Sequence, residues 1–265
     1  MIDIHNHILW GIDDGAKDFE ESLAMAKIAV EDGIKQIVAT PHFMNGTYKS
    51  SKENIKEKAD ILNKKLKGEN IDLEILLGNE VFLNIDSVEK IKKGEVYSIN
   101  NTKYILIEFS FMNIPQNADR IIHQMMKEGY RPIIAHPERI SSVVEDPSIL
   151  IPYIEMGCMT QITSGSILGY FGDKVKKASE EIIKRDMAYT IASDAHNSKT
   201  RKPKLSKAYS RIAEISGEKY VKELKRRTYQ IIYDKDIEYL EPKVTIDKRW
   251  GNSGLSIVNK WLKKK

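Results

Sequence analysis

The chain has 265 residues, 41% of them apolar and 30% charged, which is ordinary for a globular protein and enough for one large domain with a substantial core. It contains no run of about 18 apolar residues, so a membrane-crossing helix is excluded on length. The net charge of +4 is unevenly spread: six basic and no acidic residues fall between Lys248 and Lys265, leaving 36 basic against 38 acidic residues over 1–247, a net of −2 with no nucleic-acid-like excess.

The chain opens on an alternating pattern, Met1-Ile2-Asp3-Ile4-His5, which reads as a strand. It lacks the basic start and apolar stretch of a secretory signal, and its single cysteine, Cys158, cannot form an internal disulfide; a cytoplasmic protein is expected. Short runs, mostly rich in β-branched residues, predict seven strands at 1–8, 36–41, 73–80, 104–109, 131–135, 159–163 and 189–193. Amphipathic stretches between them predict helices. Residues 19–32 stop at Gly33, and 51–67 carry Ile55, Ala59, Leu62 and Leu66 at helical spacing. Residues 117–128 end at Gly129, 147–156 end at Gly157, and 173–186 follow Gly172.

Strands alternating with helices imply a parallel sheet, and seven βα units in about 195 residues suit one small barrel better than two domains. Further helices are expected at 203–216 and 218–228, with 229–247 strapping back over the barrel. The barrel domain is placed at 1–243. Residues 244–265 are expected to form a loosely ordered, solvated basic tail; the alternative is contact with a membrane surface or a partner through Trp250, Leu255 and Trp261 among lysines.

Five of the six histidines fall at or just beyond strand ends: His5, His7, His42, His136 and His196. The C-terminal ends of strands in a βα-barrel converge on one face, where such folds place their active sites. Convergent imidazoles are natural metal ligands. Residues i and i+2 of a strand point to one side, which pairs His5 with His7 and Asp194 with His196. Glu80 and Glu108 also end strands, and Asp13 and Asp14 lie in a Gly-flanked loop after the first one.

His123, inside a predicted helix, reads as structural or solvent-facing. Cys158 reads as a small apolar strand residue, because a Cys-x5-Arg phosphatase would need arginine where Ser164 stands. Arg139 and Arg201, close in sequence to His136 and His196, are suited to bidentate contact with phosphate oxygens.

Four stretches carry a family resemblance: Asp3-Ile4-His5-Asn6-His7, Thr40-Pro41-His42, Ala135-His136-Pro137-Glu138-Arg139 and Ser193-Asp194-Ala195-His196. In these the chain resembles the PHP (polymerase and histidinol phosphatase) superfamily, whose fold is a distorted seven-stranded (βα)7 TIM-like barrel. Asp13-Asp14-Gly15, Gly78-Asn79-Glu80 and Leu106-Ile107-Glu108-Phe109-Ser110 point to its CpsB/YwqE-like branch, the manganese-dependent protein-tyrosine phosphatases of capsule and exopolysaccharide operons. The resemblance covers residue 1 to about 240, and it departs from the branch at Gly11, often acidic there, and in the tail.

By that resemblance His5, His7, Glu80 and Asp194 hold a first metal, and Glu80 bridges to a second completed by Glu108 and His136. Asp14, His42 and His196 hold a third. The resemblance implies Mn²⁺ in two or three sites, while histidine and carboxylate ligation also admits Fe or Zn²⁺. It further implies hydrolysis of phosphotyrosine by a metal-activated water, on the C-terminal tyrosine cluster of a bacterial tyrosine kinase. The alternatives are a small-molecule phosphatase of the histidinol-phosphatase type and a non-catalytic module docking on a kinase.

Overall fold

The structure, a computed structural model, describes residues 1–43, 47–48 and 50–243. The expected basic tail at 244–265 lies outside the described residues. Among the described residues there are nine strands: β1 (Ile2–Asn6), β2 (Gln36–Ala39), β3 (His42–Phe43), β4 (Glu74–Leu77), β5 (Glu80–Phe82), β6 (Tyr104–Glu108), β7 (Arg131–Ala135), β8 (Met159–Thr163) and β9 (Thr190–Ala192). All pairings between them are parallel.

β2 and β3 are successive pieces of one stave, as are β4 and β5, so the nine strands make seven staves. β1 pairs with β2 and β2 with β4, and the second halves continue from β3 through β5, β6, β7 and β8 to β9. The ring is completed where Asn6 bridges Ala195. There His7 N–H donates to the Ala195 carbonyl at 2.9 Å and Asp194 N–H to the His5 carbonyl at 2.9 Å. The seven-stranded barrel expected from the alternation of elements is present.

The unbroken strands expected at 36–41 and 73–80 require correction. Proline has no N–H to give a ladder, and Pro41 divides β2 from β3. Gly78-Asn79 divides β4 from β5. A Cβ at Gly78 would lie 2.8 Å from Val38 Cγ1, so only glycine lets the two staves approach at the break. Asn79 fills the gap with side-chain bonds, donating to the Pro41 carbonyl at 3.0 Å and accepting Tyr97 N–H at 2.8 Å. The breaks have a functional consequence: they set His42 opposite Glu80, and Phe82 opposite Glu108.

The barrel strands are covered on both faces, which is why they read as near-continuous apolar runs. Leu106, Ile107, Ile133, Ile134, Ile162 and Ile191 are fully buried. The outer helices Phe19–Glu31, Lys52–Gly68, Ala118–Lys127 and Asp173–Lys184 lie close to their expected bounds. The first is started by Asp18, whose carboxylate accepts the Glu21 N–H at 2.9 Å. The segment 147–156 instead divides into a 3₁₀ turn, Pro147–Leu150, and a helix, Ile151–Met156. The helix expected to end at 228 runs to Ile232, because Ile231 and Ile232 still face the core.

After that helix residues 233–243 strap across the barrel, while 244–247, expected to continue the strap, lie outside the described residues. Asp234 accepts the Lys103 N–H at 2.8 Å, and the Tyr104 hydroxyl donates to the Lys235 carbonyl at 2.5 Å. Leu240 N–H donates to the Tyr189 hydroxyl at 3.0 Å. These anchors sit where β6 and β9 begin, so the strap covers the N-terminal end of the barrel and leaves the opposite mouth open. Among the described residues, no helix is long and apolar enough to cross a membrane.

Candidate metal centre

The open mouth gathers the side chains singled out in the sequence. His5 lies on β1 with His7 just beyond it; His42 opens β3, Glu80 opens β5 and Glu108 closes β6. His136 follows β7, Asp194 and His196 follow β9, and Asp14 sits on the loop after β1. His136 and Asp194 have left-handed backbones, with φ of 33° and 51°. For residues other than glycine this costs on the order of 1–3 kcal/mol each, and it persists where the surroundings over-determine it. The turn ends each strand abruptly and directs its side chain over the mouth.

The donors converge on Glu80, which is fully buried. Its Oε2 lies 3.2 Å from His5 Nε2, 3.4 Å from His7 Nε2 and 3.0 Å from His42 Nδ1. Its Oε1 lies 2.8 Å from His136 Nε2, and Glu108 Oε1 is 3.8 Å from the same nitrogen. Asp194 Oδ1 completes the first group, 3.6 Å from His5 Nε2 and 3.5 Å from His7 Nε2. Asp14 Oδ1 lies 3.4 Å from both His42 Nε2 and His196 Nε2. Among the described residues, three sets are close enough to hold an ion: His5, His7 and Glu80; His42, Glu80 and Glu108; and His7, Asp14, His42 and His196. His42 and His7 therefore face more than one set, a sharing that spacing along the chain did not reveal.

The hydrogen bonding of these groups fits a cation better than a closed polar network. His5 Nε2 and His7 Nε2 face each other at 3.2 Å. His42 Nδ1 and Glu80 Oε2 lie 3.0 Å apart, yet both are buried without a hydrogen bond, as is Glu108 Oε2. Buried polar atoms are almost always paired, so ring nitrogens and carboxylate oxygens turned toward a common centre without partners are those of a ligand cage.

Electrostatics agree. Burial disfavours the His7 and His42 cations, but Asp13 and Glu80 push His7 up to about 9, and Glu80 does the same for His42. Burial, followed by the neighbouring Glu80, pushes Glu108 up to about 8. Burial opposes ionisation of Glu80 and Asp194 as well, yet His5 and the other charges around them hold both below the usual carboxylate range. His196, buried and beside His7, is pushed down to about 4. Protonated imidazoles thus supply positive charge that a divalent cation would replace, displacing protons as it binds.

Asp13 is singled out in the sequence for its anionic oxygens at the rim; the other supporting residues are not. Asp13 Oδ2 pairs with His7 Nδ1 at 2.7 Å and accepts the His42 N–H at 2.9 Å, while its other oxygen accepts the Gly15 N–H at 3.0 Å. A Cβ at Gly15 would lie 2.2 Å from the His7 carbonyl oxygen, so glycine is required for this loop to fold back on His7. Gln161 Oε1 holds His5 Nδ1 at 2.7 Å. Asp3, fully buried beneath the cluster, accepts from Ser193 N–H at 2.9 Å and Asn6 Nδ2 at 3.0 Å, tying β1 to the end of β9. The i, i+2 series Asp3, His5, His7 was the available signal for Asp3. Gln161 had none, since it meets His5 only across the barrel.

Orienting partners of this kind typically contribute about 10–100-fold in metal affinity. Asp13→Asn is therefore expected to weaken metal binding by about that factor, measured by titration calorimetry. Unchanged affinity would remove Asp13 from this role.

Both arginines meet on one atom. Asp194 Oδ2 accepts from Arg139 Nη1 at 2.8 Å and from Arg201 Nη2 at 2.6 Å, while Oδ1 faces the histidines. The Arg139 guanidinium lies 4.4 Å from the ring centroids of both Phe111 and Phe171, a stack that fixes its plane. Arg139 and Arg201 remain 16% and 28% exposed, so part of each guanidinium is accessible at the mouth, although Arg201 Nε is buried. Neither aromatic residue was singled out from the sequence, because both lie on loops.

His123 is exposed on its helix, away from the cluster. Cys158 lies just before β8 rather than within it, is buried, and has its thiol pushed up to about 12 by that burial. It cannot supply a thiolate nucleophile.

A family model described as capsular polysaccharide synthesis, CpsB/CapC, matches residues 1–232. The chain belongs to the CpsB/CapC family. It is 45% identical over 201 residues to the tyrosine-protein phosphatase YwqE of Bacillus subtilis (strain 168), covering 76% of this chain and 79% of that protein. It is 35% identical over 229 residues to the tyrosine-protein phosphatase CpsB of Streptococcus pneumoniae, covering 84% and 94% of the two chains. A crystal structure from work on YwqE and CpsB, described there as unique metal-dependent tyrosine phosphatases, superimposes with a TM-score of 0.89 at 39% identity. The superposition covers 93% of this chain and 100% of that one. Family membership agrees with the resemblance read from the motifs, and the barrel with its open mouth is the CpsB/CapC fold.

Proposed function

We propose that this chain is a metal-dependent protein-tyrosine phosphatase in which His5, His7, Glu80 and Asp194 hold one ion, Glu80, Glu108 and His136 a second, and Asp14, His42 and His196 a third. The observation that carries this reading is Asp194, which presents one oxygen to the histidine cluster and the other to two accessible arginines. Divalent ions in such a centre supply Lewis acidity and lower the pKa of water to near neutrality. Mn²⁺ is the preferred ion on family grounds, and the donor set also admits Fe or Zn²⁺.

The protein's own groups do the remaining work. Arg139 and Arg201 neutralise the non-bridging phosphate oxygens, and the stack of Phe111 and Phe171 holds Arg139 ready without reorganisation. Phe111 is 43% exposed at the rim and offers its remaining surface to an aromatic leaving group. A phenol with a pKa of about 10 is a far better leaving group than an alkyl hydroxyl. Burial of Cys158 leaves no cysteine-based covalent route. The physiological substrate we infer is a phosphotyrosine protein in the cytoplasm, specifically the tyrosine-rich C-terminal segment of a bacterial tyrosine kinase. The single cysteine suits that reducing compartment.

The rival with a physical basis is a small-molecule phosphatase with the same centre and a different pocket. Purified protein loaded with Mn²⁺ is expected to hydrolyse a phosphotyrosine peptide and to leave histidinol phosphate largely untouched. The reverse preference would establish the rival. In the same assay His136→Ala is expected to lose both metal and activity, and a fully active His136→Ala protein would overturn the assignment of the centre. Protein that holds metal yet hydrolyses neither peptide nor p-nitrophenyl phosphate would support the docking-module alternative.

A further inference from the structure

We propose that the cleft beside the metal centre binds an acidic peptide segment flanking the phosphotyrosine, so that Lys202, Lys204 and Lys207 select substrates by local charge. The inference rests on the phosphotyrosine reading above. A cavity of about 520 Å³ begins at Ser193 and Arg201, next to Asp194, and runs outward over residues 199–207. Its basic wall carries Lys199, Lys202, Lys204 and Lys207 in addition to Arg201, and no acidic residue lines it. Among the described residues, none of these four lysines makes a salt bridge, although residues 1–247 are net acidic. A cleft of one charge sign with low-dielectric walls concentrates ligands of the opposite sign.

The lysines stand on an ordered backbone. The Asn197 carboxamide oxygen accepts the N–H groups of Lys199 at 2.9 Å, Thr200 at 2.7 Å and Arg201 at 3.1 Å. Asp32 then accepts Leu205 N–H at 2.6 Å and Ser206 N–H at 2.9 Å. The lining also includes the apolar side chains of Leu168, Tyr170 and Phe171. Tyr170 is 67% exposed, and Phe171 is the ring stacked on Arg139, so this lining is continuous with the phosphate-facing arginines. A peptide whose phosphotyrosine reaches the arginines must lay its neighbours along one side of the mouth. This side provides apolar contact for the chain and cations for carboxylates. Charges at the rim of an interface act chiefly on encounter rate and its salt dependence.

The test compares wild type with K202E/K204E/K207E, and with the milder K202Q/K204Q/K207Q in case charge reversal disturbs folding. All three sites lie outside the metal centre and its arginines, so p-nitrophenyl phosphate should be hydrolysed equally by every protein. For a phosphotyrosine peptide flanked by glutamates, kcat/KM is expected to fall about tenfold in the charge-reversed variant through KM, consistent with loss of several exposed charge contacts. A glutamine-flanked phosphopeptide should be nearly unaffected. Raising salt should lower the wild-type rate on the acidic peptide and flatten the difference between proteins. Equal kcat/KM for both peptides in all three proteins would overturn the proposal.

A second arm measures fluorescence anisotropy of the labelled, unphosphorylated glutamate-rich peptide, which needs no turnover. Binding that weakens in the charge-reversed variant supports the cleft even if no phosphopeptide is hydrolysed, in which case the phosphotyrosine reading alone fails. Peptide binding unchanged by the substitutions overturns the cleft. A single-stranded RNA oligonucleotide that binds tighter than the peptide and loses affinity in the variants also overturns it, assigning the lysines to nucleic acid.

Discussion

Replacing Glu80 with glutamine is expected to lower kcat/KM for p-nitrophenyl phosphate on the order of 10³-fold, about 4 kcal/mol of transition-state stabilisation. The expectation follows from where the two carboxylate oxygens point. Oε1 faces His136 at 2.8 Å, while Oε2 faces His5, His7 and His42 at 3.2, 3.4 and 3.0 Å. Among the described residues, no other side chain reaches four histidines. Glutamine keeps the size but removes the charge and replaces one acceptor with a donor, which cannot serve two cations. Removing one partner from a buried charged network typically costs about 3–5 kcal/mol, because the remaining charges are left uncompensated. Metal content should fall along with activity, measured by elemental analysis after gel filtration. A variant that keeps both full metal and full activity would show that Glu80 does not bridge.

Arg139→Ala is expected to reduce kcat by about 10²–10³-fold, the range for loss of one preorganised donor to a developing oxyanion. Metal content separates the two roles the geometry allows. If Arg139 acts on phosphate, the variant keeps its metal and loses rate. If its main task is to hold Asp194, to which it donates at 2.8 Å, metal and rate fall together. Arg139→Lys should restore little. Lysine carries the charge, but it lacks the planar fork and cannot reproduce the stack between Phe111 and Phe171. Near-wild-type kcat in Arg139→Lys would mean that a point charge suffices and that the stack is not functional.

The two arginines also show how a local rule can find a residue and miss its setting. Arg139 and Arg201 are legible from their places after His136 and His196. That both converge on a single oxygen of Asp194 is not, because the atoms meet from different staves. The same holds for the strand breaks. Pro41 and Gly78 are visible in the sequence, but their effect, setting His42 opposite Glu80, arises only when neighbouring staves are in register.

Barrel topology and the candidate donors are therefore legible in the sequence alone. Apolar runs alternate with helical periodicity, and histidines and carboxylates recur at strand ends, and both are local, periodic signals. Tertiary structure alone decided how the donors are shared and supported. It places Gln161 behind His5, Asp13 behind His7, Asp3 across the barrel seam, and two loop aromatics around Arg139. It also draws Lys202, Lys204 and Lys207 into one cleft beside the mouth. These relations depend on ring closure, which brings the first and last staves together at Asn6 and Ala195. Contacts between residues more than 150 positions apart leave no periodic trace along the chain, so only the closed barrel reveals them.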